Sequence, residues 1–294
     1  MALDSRYGIV VREMRQDRNL TINYVASGIM SVSGLSRFER GEVMTTLENL
    51  VKLLNRMNIN MTEYLYRVNR HLWTPSIVFF RELTNALRAG NSARIKELAQ
   101  SEKEKIVAAD DPNDQYRLNT VVAAAALAIL DGPDPSSDDI KLVTDYLFNT
   151  EDWLQYELHL VGFILTYLDA KQLMRISQSI FRRASEYLKM VDNAQSAAEV
   201  ELNILALLLH KRLLDEAEIL IRRLDESRLT TRISSELFNF SSLVAVYHQL
   251  RQSNPSITDA NKEFAADDAV MRSHNLVGDA DGLKHQREII IAGD

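Results

Sequence analysis

Residues that make tight turns are scarce in this chain, with ten glycines and five prolines among 294 residues, about half and a third of average usage. Hairpins between β-strands draw on those residues, whereas the helix formers Leu, Ala, Arg and Glu abound, so an all-α fold is predicted. The length predicts two domains rather than one. No cysteine is present, which excludes disulfides, thiolate nucleophiles, Cys-ligated zinc and iron–sulfur clusters and fits a reducing compartment. The opening MALDSRYGIVVREMRQDRN is too charged for a signal peptide, and no stretch reaches the roughly 18 uncharged apolar residues of a membrane span. A cytoplasmic protein with no membrane partner is expected.

The net charge of −7 argues against a polyanionic partner until it is divided. Residues 1–70 carry +3 and residues 71–294 carry −10. Such asymmetry points to divided labour, one part able to face a polyanion and the other not.

Within residues 1–70 five short helices are predicted. The first runs from about Asp4 to Arg18 with Tyr7, Val10, Val11 and Met14 on one face. The second opens at Thr21. The third follows Ser31 as N-cap, buries Leu35 and Phe38 and stops at Gly41. Thr45 or Thr46 caps a fourth carrying Leu47, Leu50, Val51, Leu54 and Met57, and Asn60 caps a fifth with Met61, Tyr64, Leu65 and Val68. Five such helices, the second and third joined by a tight turn, describe a repressor-type helix-turn-helix domain.

The segment Ser31-Val-Ser33-Gly34-Leu35-Ser36-Arg37-Phe38-Glu39-Arg40-Gly41-Glu42, flanked by Val11-Arg12-Glu13-Met14-Arg15 and Thr46-Leu47, resembles the LSRFERGE segment of the Rgg family of Gram-positive transcription regulators, within the Xre-type helix-turn-helix group. Ala26 and Leu35 are nine residues apart rather than the usual ten, and no glycine sits in the turn's usual place; Rgg proteins share that shorter turn. With Leu35 and Phe38 inside, Ser33, Gly34, Ser36 and Arg37 face outward from a helix whose N-terminus would enter the major groove. The Arg37 fork suits guanine O6 and N7 or a phosphate equally. Arg12 and Arg15 complete the candidate DNA-binding set. The resemblance implies that Arg15 pairs with Glu39 to brace the first helix, leaving Arg12 as the freer phosphate contact. Arg6, Arg18 and Arg40 read as phosphate contacts or solvated charge.

A linker is predicted at residues 71–75, followed over 76–294 by paired amphipathic helices. First members begin near Ser76, Asn113, Asp152, Ala194 and Thr231, and second members near Ser92, Ser136, Ala170, Asp215 and Ile257. The spacing of 37–42 residues between first members points to a right-handed helical-hairpin solenoid of the tetratricopeptide kind. The best repeat pairs Val200–Leu209 with Asp215–Leu224, with small Ala206 and Ala217 at the crossing. The tail from Pro255 reads as one final helix pair. Degenerate repeats of this kind resemble the C-terminal part of Rgg proteins.

First helices line the concave face, the usual seat of an extended peptide. Arg81, Asn119, Asn203 and Asn239 interrupt apolar first helices and are the candidate peptide-binding residues, because an amide side chain can bond both C=O and N–H of an extended backbone; each can instead bond a neighbouring helix. The helically spaced Trp153, Tyr156, Phe163 and Tyr167 read as core. Six scattered histidines show no metal-ligand spacing, and neither a Walker loop nor GxGxxG nor GxSxG is present, so no metal, cofactor or enzymatic activity is expected. Glu102-Lys-Glu-Lys105 reads as a solvated face. The resemblance implies a dimeric regulator on a palindromic operator in double-stranded DNA, controlled by a short apolar signalling peptide that is secreted and reimported in quorum sensing. The alternative is a helical-repeat interaction scaffold with a vestigial helix-turn-helix.

Overall fold

A computed structural model describes residues 4–68, 75–108, 114–130, 132–231 and 234–293. The chain divides into two compact units, Met1–Phe79 and Phe80–Asp294. Residues 71–74 of the expected linker and the expected helix start at Asn113 lie outside the described residues, while Pro75 already opens a helix. Among the described residues all regular elements are helical.

The first unit holds α1 (Arg6–Gln16), α2 (Ile22–Ala26), α3 (Val32–Glu39), α4 (Leu47–Arg56) and α5 (Met61–Val68). Side chains start four of them. Thr21, Ser31 and Thr46 accept from the backbone N–H three residues on, at 3.2, 3.1 and 3.2 Å. Asn60 and Glu63 bond each other's backbone N–H reciprocally, which satisfies donors that a helix start leaves orphaned. The core joins Val10, Val11, Met14, Val25, Ala26, Leu35, Phe38, Leu54 and Met57. On α4 the expected Leu54 and Met57 are buried and Leu50 packs on the core, Leu53 joins them, and the expected Leu47 and Val51 are exposed, Leu47 by 70%. Two glycines permit the packing. A Cβ on Gly8 would lie 1.6 Å from the Phe38 carbonyl oxygen, so α1 can cross α3 only with glycine there. Gly41 has φ +74° and ends α3 against Ser5. The α2–α3 turn does contain a left-handed glycine, Gly28 at φ +70°.

The second unit continues from α6 (Pro75–Arg88), inside which the division falls, through α7 (Ser92–Ala108), α8 (Gln115–Ile129), α9 (Ser137–Asn149), α10 (Gln155–Ile164), α11 (Ala170–Phe181), a single turn α12 (Ala184–Tyr187), α13 (Val191–His210), α14 (Leu214–Ser227), α15 (Ser234–Leu250), α16 (Ile257–Glu263), α17 (Ala265–Ser273) and α18 (Val277–Ala292). Helix starts fall within a few residues of the expected repeat positions. α8, α10, α13 and α15 pack each on the next and form one layer, while α9, α11, α14 and α16 pair with them on the other side. Such stacking buries an apolar face that no single hairpin can bury alone. The tail departs from the expected pair: it has three helices, and the last, α18, lies against both α13 and α15. Arg287 of α18 is buried, donating to Asn261 Oδ1 at 2.9 Å and Ser242 Oγ at 2.7 Å with its guanidinium over the Phe264 ring. Arg212 holds the C-terminal end of α18 through the Ile290 and Ile291 carbonyls. No helix among the described residues is long and apolar enough to cross a membrane.

Candidate functional sites

In the first unit, α3 is pinned from behind. The Arg15 guanidinium donates to both carboxylate oxygens of Glu39, at 2.7 and 2.8 Å, and to the Leu20 carbonyl at 2.8 Å. The Arg15 and Glu39 side chains are only 12% and 4% exposed, so Arg15 is a brace inside the unit and leaves the outward-facing set. Glu39 holds the Arg15 guanidinium above its ordinary pKa. Arg56, which the sequence did not single out, donates to the carbonyls of Tyr24, Val25 and Ser27 and closes the C-terminal end of α2.

The outward candidates differ in how free they are. Arg12 is exposed and makes no ion pair among the described residues. Arg37 is exposed and lies 3.7 Å from Glu42, a weak surface pair. Ser33 is exposed beside the Ser31 cap. Ser36 is bonded by Arg40, which also bonds Glu42 and thereby holds that carboxyl below its ordinary range. At Gly34 a Cβ would come within 2.9 Å of Ser31 Oγ, so this glycine serves the helix cap. Arg6 pairs with Asp4, and Arg18 bonds the Met14 carbonyl.

In the second unit, two cavities of about 770 and 220 Å³ lie along the face of α13 and share Glu199 and Asn203. The larger is bounded by α13, α15 and α18, the smaller by α6, α10 and α13. Three glycines on helices face this groove: Gly162 on the smaller cavity, Gly278 and Gly282 on the larger. A Cβ on any of them would meet nothing within 4 Å. Glycine inside a helix costs up to about 1 kcal/mol against alanine, so these positions leave open space where the fold itself requires none.

The structure brings Asn203 and Asn239 to the larger cavity and leaves Arg81 and Asn119 out of both. Arg81 is exposed elsewhere on α6, and Arg88, two turns later, takes the cavity position. Asn119 is buried, donating to Glu102 Oε2 at 2.7 Å and accepting from the Tyr156 hydroxyl at 3.1 Å. Glu102 is correspondingly 3% exposed, not part of a solvated face. Within the aromatic set, Trp153 is buried on the Leu147 carbonyl, while Phe163 lines the smaller cavity beside Phe80 and His159. Burial lowers the His159 pKa. Among the described residues no cluster of side chains could hold a metal.

Residues 96–250 match the family described as HTH-type transcriptional regulator Rgg, C-terminal domain, and residues 11–64 match a helix-turn-helix family. Solved structures share the fold over nearly the whole chain. The SHP pheromone receptor Rgg2 of Streptococcus dysgalactiae superposes with a TM-score of 0.75 at 19% identity, covering 96% of this chain and 97% of that one. A putative transcriptional regulator from Listeria monocytogenes EGD-e gives 0.81 at 15% identity over 96% and 97%. A PrgX/iCF10 complex gives 0.73 at 17% identity over 98% and 96%.

Proposed function

The chain belongs to the family of HTH-type transcriptional regulators Rgg, and on that premise we propose that its first unit binds a palindromic operator as a homodimer, while its groove receives a short, mostly apolar signalling peptide in quorum sensing. The family is one of regulators rather than enzymes, and the scaffold alternative loses its basis. The observation that carries the receptor half is the groove itself, walled by three helical glycines with no neighbour to accommodate. Its larger cavity falls within the roughly 300–1,000 Å³ of ligand pockets, and similar structures include a pheromone receptor and a bacterial peptide pheromone/receptor complex. Asn203 and Asn239 offer amides to an extended backbone.

For the DNA half, Arg12 and Arg37 are the exposed cations of the candidate set, with Ser33 at the start of α3. The two recognition helices of a dimer would sit one helical turn apart on the operator. Peptide occupancy changes transcription only by favouring one dimer arrangement over another. Binding of the full chain to duplex DNA from upstream of its own gene is the test. Affinity is expected to fall steeply with added salt, and Arg12→Ala is expected to reduce the salt slope by about one. Salt-independent retention, or no binding to any upstream duplex, would refute this half.

A further inference from the structure

The polar groups of the larger cavity are unbalanced between donors and acceptors. Glu199, Glu236 and Asp279 face it, against one cation, Arg88. Glu236 is 5% exposed, and its carboxylate accepts from Ser235 Oγ at 2.8 Å. Glu199 is open to solvent on one side, yet the cavity walls desolvate its carboxyl and raise its pKa, and the nearby Glu236 charge raises it further; Gln195 and Arg88 offset part of this. Asn239 lines the cavity half-buried, with its Oδ1 covered by protein and, among the described residues, without a donor. Two carboxylates that repel each other are relieved by a cation placed between them.

Resting on the reading of this groove as a peptide site, we propose that it selects an otherwise apolar peptide carrying one ammonium group, seated between Glu199 and Glu236. A primary ammonium has three donors and no acceptor, which is the complement of this floor. Gly278 and Gly282 leave room over it for the apolar remainder.

The full-length protein is exposed to three pools of heptapeptides built from Leu, Val, Ile, Phe and Gly, with both termini blocked. Each carries, at every position in turn, one lysine, one norleucine or one glutamate, and retained peptides are counted by mass spectrometry. The lysine pool is expected to be retained roughly tenfold over norleucine, the size of one charge-assisted bond, and the glutamate pool least. The Glu199→Gln/Glu236→Gln protein is expected to keep norleucine peptides and lose the lysine preference. Should replacing the buried Glu236 unfold the chain, Glu199→Gln alone, at a solvent-open position, is expected to halve the preference or more. Equal retention of lysine and norleucine, or enrichment of glutamate, would overturn the proposal while leaving the peptide site standing. Retention of no pool by the wild type would overturn the peptide site and this inference together.

Discussion

The two units are built from the same kind of element but are held together differently. In the first, α2 to α5 are short, and each is started by a side chain on its own N-cap. A bidentate ion pair then ties α1 to α3. In the second, side chains also start α7, α9, α11 and α16, but α13, α14 and α18, which wall or support the groove, have no side-chain cap and rely on neighbours in the stack. Both units hold buried polar atoms without a hydrogen-bond partner among the described residues, Thr45 Oγ1 in the first and Thr230 Oγ1 and Gln286 Oε1 in the second. Local signals thus specify the first unit nearly residue by residue. The inner helices of the second are specified by adjacency between repeats, which leaves its inner groove free to vary.

Breaking the brace is expected to have the largest effect. Glu39→Ala leaves the Arg15 charge partly buried and unpaired, which costs about 3–5 kcal/mol. Urea unfolding should show the loss in the first unit's transition alone, and an unchanged midpoint would contradict the brace. Next comes Gly8→Ala. Its Cβ would overlap the Phe38 carbonyl, so α1 must move off α3, at a cost of about 1–3 kcal/mol; thermal melting with near-unchanged helix content checks it.

The third prediction separates the units by pH. Glu201 is fully buried on α13, and burial raises its pKa to about 8. A carboxyl raised above its unfolded value of about 4.3 adds stability that is complete below that value and is lost as pH rises through about 8. Urea midpoints of the second unit are therefore expected to fall between pH 5 and pH 9, and the dependence to flatten in Glu201→Gln. Smallest is Gly282→Ala. Extra helix propensity should stabilise the second unit by about 0.5–1 kcal/mol, and a loss of stability would show that the space beside Gly282 serves packing.

The same contrast explains what the sequence made legible. Ser31, Asn60 and Gly41 act within a few residues of themselves, so the helix-turn-helix could be read from spacing and from the SRFERGE string. On α4 the spacing marks Leu54 and Met57 correctly but also Leu47 and Val51, which share their stripe, and only packing on α2 and α5 adds Leu53 and leaves those two outside. Repeat positions were legible from period alone, but the groove was not. Asn119 and Asn203 look alike in sequence, yet one is committed to Glu102 and Tyr156 while the other is open. Arg88, Glu199 and Gly282 lie on three helices far apart in the chain, and only the return of α18 onto α13 and α15 brings them to one cavity.

The most direct test of the account is native mass spectrometry of the full-length protein purified from the cell that makes it, alongside its Gly282→Leu variant. Leucine at that position fills the groove where the fold itself has open space. Peptides of about ten residues or fewer are expected on the wild type and absent from the variant, with helix content and oligomeric state equal in both. The same peptides on both proteins, or none on the wild type, would contradict it.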